Sequence, residues 1–203
     1  MGKKIKNIIF DIGNVISRFD WKGTYESFGY DDEMVKRIAK ATTLSPDWKE
    51  IDRGVLTTEE VMDRFVANDP EIESDIRRAL SDISLIIKPV DYAKPWLKEL
   101  KDRGYKCYFL SNFSEVAEKY CTEALSFMPL MDGGILSYRE KVVKPDVRIY
   151  ELLLKRYSLD PEESVFLDDT AENLPPAESL GIRTIHFTSY ETGRKELEDM
   201  LSE

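Results

Sequence analysis

Four short polar clusters hold the side chains of this sequence that are best equipped for chemistry. The first, FDIGNV, sets Asp11 directly behind an apolar run. A carboxylate there serves as a nucleophile or a metal ligand, with Gly13 permitting close backbone approach, or else it caps an ordinary turn. The second, LSNFS, offers the hydroxyls of Ser111 and Ser114 together with backbone amides. That combination suits an anion at a strand-to-helix turn, or a plain helix cap. In the third, VVKPD, Lys144 stands before a helix start at which Pro145 fits the first helical position; in isolation it reads as a solvated lysine. The fourth, FLDDTAEN, places Asp168 and Asp169 side by side after another apolar run. Adjacent carboxylates repel each other unless a cation is near, and oxygen donors suit Mg²⁺ better than a softer metal. Two capping or solvated aspartates are the alternative.

The elements that must position these clusters are legible from the apolar pattern. Residues 5–10, 105–110, 164–167 and 182–187 are compact runs rich in β-branched or aromatic side chains, too short for helices, and read as buried strands. Helical periodicity covers 90–103, 146–157 and 171–180, with Gly104 and Gly181 as stops to the first and last. Strands alternating with helices imply an α/β fold with a mainly parallel sheet, a Rossmann-like three-layer core. Three of the clusters then lie at the carboxyl ends of strands and the Lys144 cluster in a loop, where such sheets bind ligands. Residues 20–85 hold no strand pattern but several amphipathic segments, at 32–41, 58–66 (Thr57 or Thr58 capping, Glu60 following) and 72–83. A crossover needs only about a dozen residues, so this stretch reads as an inserted helical subdomain. The expected division is a catalytic core of 1–17 and 88–203 and a small α-helical cap of 18–87.

Composition narrows the function classes. A net charge of -10, from 29 basic and 39 acidic residues, argues against a nucleic-acid binder, which needs basic stripes. A small phosphorylated substrate remains compatible, since it answers to a local site. No apolar run approaches the roughly 20 residues of a membrane span. The start, Met1-Gly2-Lys3-Lys4-Ile5-Lys6, is basic and then apolar, but Asp11 and Asn14 interrupt it, no small-residue cleavage site follows, and Lys6 replaces the hydroxyl residue of a myristoylation signal. The expected location is cytoplasmic. Cys107 and Cys121 lack metal-site spacing, and Cys107 reads as a reduced core residue. His186 is the sole histidine, which leaves no multi-histidine site.

FDIGNV, LSNFS, VVKPD and FLDDTAEN, in this order, resemble the four motifs of the haloacid dehalogenase-like hydrolase superfamily. The resemblance spans essentially the whole chain, including a helical cap after the first motif. It is strongest to the subgroup of bacterial sugar-1-phosphate phosphatases and the N-terminal phosphatase domain of soluble epoxide hydrolases. It implies that Asp11 attacks phosphorus to form an aspartyl phosphate and that Ser111 and the backbone at Asn112 hold phosphate oxygens. It implies further that Lys144 neutralises charge at the nucleophile and the phosphoryl group, and that Asn173 orients the fourth loop. Mg²⁺ would be held by Asp11, the Gly13 carbonyl, Asp169 and Asp168. Charges balance in that arrangement, three carboxylates against one lysine and one divalent cation. The implied function is hydrolysis of a small phosphorylated metabolite, a sugar 1-phosphate among the candidates.

One position departs from the pattern. Most phosphatases of the superfamily carry a second aspartate two residues after the nucleophile, as general acid, and this chain has Gly13. Acid–base catalysis is typically worth about 10²–10⁴-fold, a loss that need not abolish turnover. Either the leaving group is easy, such as an anomeric hydroxyl, or another acid substitutes. Asp20 is the candidate in sequence, with capping of a helix ahead of Trp21 as its plainer role. In the loop WKEIDRG, Arg53 is placed to meet a substrate hydroxyl or anion and Trp48 to stack on a ring. A metal-independent haloacid dehalogenase is disfavoured by the paired aspartates, and a sugar-phosphate mutase by Gly13. A catalytically weak phosphometabolite- or partner-binding protein is the alternative from another class. Oligomeric state is not readable from the sequence.

Overall fold

The computed structural model describes residues 3–202. The N-terminal reading involved Met1 and Gly2, which lie outside the described residues. In chain order the strands are β1 (Asn7–Phe10), β2 (Ser17–Phe19), β3 (Ile87–Pro89), β4 (Lys106–Ser111), β5 (Gly133–Leu136), β6 (Ser164–Asp168) and β7 (Arg183–His186). Between β2 and β3 lie helices α1 (Trp21–Ser27), α2 (Asp32–Ala41), α3 (Trp48–Arg53), α4 (Thr58–Asn68) and α5 (Glu73–Ala79). After β3 come α6 (Ala93–Asp102), α7 (Glu115–Tyr120), α8 (Ser137–Glu140), α9 (Val147–Tyr157), α10 (Leu174–Ser179) and α11 (Tyr190–Leu201).

Five strands form one all-parallel sheet in the order β5-β4-β1-β6-β7. Strand β1 sits at its centre, with Ile8 opposite both Cys107 and Val165. Because successive side chains of a strand point to opposite faces, each strand feeds two cores. Ile8, Phe10, Cys107, Phe109, Val165 and Leu167 pack with Trp96, Leu97 and Leu100 of α6 and Leu197 of α11. Ile9, Tyr108, Leu110 and Phe166 pack on the other face with Ile149, Tyr150 and Leu153 of α9 and Ala177 of α10. Helices therefore cover both faces, and the core is the expected three-layer α/β arrangement.

The chain leaves this core along β2 and returns along β3, and the two pair antiparallel with Arg18 opposite Lys88. The intervening helices bury their own apolar cluster, which includes Tyr25, Val35, Ile38, Val61, Phe65 and Ile76. Local signals set their limits. Thr57 and Glu60 form a reciprocal capping box at the start of α4, and Asp31 caps α2 by accepting from the Met34 amide. WKEIDR, expected as a loop, is the short helix α3, closed by Gly54 in the left-handed conformation (φ 65°).

Candidate active site

The sheet delivers the motif residues to its carboxyl edge. Asp11 follows β1 and is 8% exposed; Asp168 ends β6 and is fully buried; Ser111 ends β4. Lys144, in the loop before α9, is 1% exposed, and its ammonium lies 2.9 Å from Asp11 Oδ1 and 2.6 Å from Asp168 Oδ2. A buried lysine is tolerated only with such partners. Burial alone would lower its pKa, but Asp11 and Asp168 outweigh burial and raise it, so it stays charged.

Neighbouring groups hold this arrangement in place. The Asn112 side chain accepts from the Lys144 backbone N–H (2.7 Å) and donates to the Lys144 carbonyl (3.1 Å), clamping the peptide that presents the lysine. Asn173 donates to both oxygens of Asp168 (3.0 Å each), and the Thr170 amide donates to its Oδ1 (2.8 Å). Asp11 Oδ1 accepts from the Ile12 amide (2.8 Å). Asn14, in the left-handed region (φ 55°), donates to Asp169 Oδ2 (2.9 Å) and accepts from the Phe19 amide (3.0 Å). It thereby links the fourth motif to β2, a role the motif reading did not assign; an asparagine tolerates that backbone conformation better than most residues.

Asp11, Asp168 and Asp169 each offer a carboxylate oxygen, and these oxygens all lie within 4.8 Å of one another. With only Lys144 among them, the cluster is electrostatically under-neutralised. Burial first, and then the charges of Asp168 and Asp169, push the Asp11 carboxyl up to about 7 against the pull of Lys144 and the Ser111 hydroxyl. Burial also raises Asp169, opposed chiefly by the Asn14 amide. The donor set is all oxygen and fits a divalent cation of the magnesium kind. Asp168 is already committed to Lys144, Asn173 and Thr170, so Asp11 and Asp169 hold the freer oxygens.

A cleft opens above the cluster. Its floor is Asp11, Gly13, Asn14, Ser111, Asn112, Asp169 and Thr170, and its walls are mostly apolar: Phe19, Trp48, Ile51, Ile83, Ile86, Ile87 and Phe113. Trp48 lies in the wall, stacked on Phe65 with ring centroids 5.9 Å apart. Arg53 is not among the lining residues; its Nε is 3.3 Å from Glu50 Oε1. Asp20 is also outside the cleft. It caps α1 through the Gly23 amide and accepts from Lys88 at 2.5 Å. Burial would raise Asp20, but Lys88, Gly23 and Arg18 outweigh it and hold the carboxyl below its ordinary range. A residue without an assigned role, Asp52, does line the cleft.

Residues 5–181 match the model of the haloacid dehalogenase-like hydrolases. This chain belongs to that family. Among curated relatives it is 31% identical to acyl-CoA dehydrogenase family member 10 of Mus musculus over 98% of this chain, but spans only 19% of that protein. It is 25% identical to the sesquiterpene phosphatase astK of Aspergillus oryzae over 90% of both chains. It is 23% identical to a D-ribitol-5-phosphate phosphatase of Bacteroides thetaiotaomicron over 98% of this chain and 99% of that one. Among solved structures, the family enzyme bt-2542 of Bacteroides thetaiotaomicron in complex with magnesium and inorganic phosphate superposes with a TM-score of 0.69. It is 22% identical and the match covers 93% of this chain and 98% of that one, a likeness of fold.

Proposed function

We propose that this hydrolase is a Mg²⁺-dependent phosphatase of small phosphate monoesters and works through an aspartyl phosphate on Asp11. The observation that carries the reading is a buried lysine bridging Asp11 and Asp168, with the third carboxylate, Asp169, beside them on the floor of a cleft. Similarity to two phosphatases supports it. Asp11, Asp169 and the Gly13 carbonyl would hold Mg²⁺, with Asp168 supporting them. When bound, the ion would neutralise charge on the carboxylates and the phosphoryl oxygens. Asp11 supplies the nucleophilic oxygen, oriented by the Ile12 amide and Lys144. Lys144 and the Ser111 hydroxyl are the donors for developing phosphoryl charge, preorganised by the Asn112 clamp. The helical layer, residues 18–87 in the expected division, acts as the cap that selects the substrate.

The walls bear on the substrate. The charged residues lining the cleft are Asp11, Asp52 and Asp169, all acidic, so no cation besides Lys144 awaits a second anionic group. Apolar side chains dominate the wall around them. This favours a monophosphate whose alcohol has an apolar body, in line with similarity to a sesquiterpene phosphatase. A sugar phosphate is the second reading, supported by similarity to the ribitol-phosphate enzyme. The test is phosphate release from a panel containing both classes, with Mg²⁺ and then EDTA, and with Asp11→Asn as control. Release that requires both metal and Asp11 is expected, fastest with apolar alcohols. No release from any member would turn the reading to a phosphometabolite-binding protein.

A further inference from the structure

A phosphatase built only from the residues above has no proton donor for its leaving group. Gly13 carries no side chain, and a Cβ built on it would meet no atom within 4 Å, so packing does not demand glycine there. The cleft contains one carboxylic acid outside the three-aspartate cluster. We propose that Asp52, presented by α3 from the helical layer, is the general acid that protonates the leaving alkoxide and then the base that activates the hydrolytic water. This rests on the phosphatase reading.

Placement is the first argument. Trp48, Ile51 and Asp52 lie at positions i, i+3 and i+4 of α3, and all three line the cleft whose floor carries Asp11. Availability is the second. Among the described residues the Asp52 carboxylate makes no hydrogen bond or ion pair, whereas Asp20 is tied to Lys88 and Gly23. Rigid delivery is the third. Ser137, at the start of α8, donates its hydroxyl to the Asp52 carbonyl (2.6 Å) while accepting from the Phe113 amide (2.9 Å). One hydroxyl therefore ties Asp52 to the turn that follows Ser111. Lys141 Nζ reaches the Gly54 carbonyl at 2.5 Å, and the Cα face of Gly54 lies against Tyr138.

Protonation agrees with the geometry. Burial first, and then the Asp11 charge, raise the Asp52 carboxyl to about 7 against the opposing pull of Lys144. The charged groups around it are Asp11 after β1, Asp169 after β6 and Lys144 before α9, with the paired Glu50 and Arg53 on its own helix. A carboxyl in that state carries a proton near neutrality and can give it up, as a general acid must. In the first step the Asp11–phosphorus bond forms, the phosphorus–alkoxide bond breaks, and the Asp52 proton goes to the departing oxygen. In the second, water attacks phosphorus, its proton passes to the Asp52 carboxylate, and the Asp11–phosphorus bond breaks to release phosphate. Asp11 and the protonated Asp52 are both restored.

The two steps give Asp52→Asn a signature that a structural role lacks. A nitrophenolate leaves without protonation, so p-nitrophenyl phosphate should give a burst of about one nitrophenolate per chain, followed by turnover slowed by about 10²–10⁴-fold. Hexyl phosphate, whose alkoxide needs the proton, should be slowed as much with no burst. Adding Gly13→Asp to the variant, which returns a carboxyl to the same cleft, should recover at least roughly tenfold of the loss. Equal losses on both substrates without a burst, or unchanged turnover, would overturn the proposal. Release from either substrate that survives Asp11→Asn would instead sink the aspartyl-phosphate reading on which it stands.

Discussion

At the scale of single residues, the site is organised by one buried cation. Lys144 lies between Asp11 and Asp168, and removing its charge leaves two buried carboxylates uncompensated. Breaking such a pair typically destabilises by about 3–5 kcal/mol, so Lys144→Met should lower the denaturation midpoint by that equivalent and lose turnover. Lys144→Arg should not restore activity, because the planar guanidinium needs room that the Asn112 clamp and the Phe166 ring, 5.4 Å below the ammonium, do not leave. Asp52 predicts the reverse sign. Its carboxyl, ordinarily near 3.8, is raised to about 7 in the fold, so the native state binds the extra proton and stability falls as pH rises between those values. Asp52→Asn removes that penalty. Followed by thermal melts in EDTA, it should be more stable than the parent at pH 8, with a smaller gain at pH 5. A gain that did not grow with pH would mean Asp52 is not held in the raised state. Asp11, Ser111, Lys144, Asp168 and Asp169 were legible as a set in the sequence because each stands in a motif at a strand end or a loop. Asp52 was not, although the signal was present: with WKEIDR read as a helix, 48, 51 and 52 share a face and Arg53 turns away.

At the scale of elements, apolar runs identified four of the five sheet strands and failed where glycine replaces bulk. Strand β5 begins Gly133-Gly134, which has no strand propensity and reads as a turn. The structure supplies the reason for it. A Cβ on Gly134 would overlap the Phe109 ring and backbone, and one on Gly133 would meet the Tyr157 ring, so β5 trades side chains for close packing on β4 and α9. Gly134→Ala should therefore destabilise by about 1–3 kcal/mol by overpacking, measured in urea, and neutrality would mean that Phe109 can move aside. The β2–β3 ribbon was equally hard to see, since Ser17–Phe19 and Ile87–Pro89 are three residues each, and beyond their mutual pairing Ser17 makes a single isolated bridge to Gly13. It stands where the chain passes between the core and the helical layer. A separate tie between core and layer is the Ser137 hydroxyl, which donates to the Asp52 carbonyl.

At the scale of the whole molecule, charge and burial pull against each other, a conflict that a bound divalent cation would resolve. The chain carries a net charge of -10, and among the described residues no helix is long and apolar enough to cross a membrane. Cys107 and Cys121 are buried and unpaired, with burial the leading reason that their thiols rise to about 12 and about 11, and neither lines the cleft. What remains is a deep concentration of negative charge at the sheet's carboxyl edge, with a buried Asp11 raised by its own surroundings. A ligand that binds only the folded state stabilises it by RT ln(1 + [L]/Kd), about 2.7 kcal/mol at a hundredfold excess over Kd. For a chain of this length each kcal/mol raises the thermal midpoint by roughly 2–4 °C, so saturating Mg²⁺ should add about 5–10 °C, and EDTA should reverse it. Asp169→Asn should abolish most of that gain, because it removes the charge of one of the two freer carboxylates while leaving the Lys144 bridge intact. Phosphate or a phosphate mimic should add a further increment only with Mg²⁺ present, since without the ion the anion meets three carboxylates and a single ammonium. A midpoint that ignored Mg²⁺ in the parent, or rose equally in Asp169→Asn, would move the cation away from this cluster and the phosphatase reading with it.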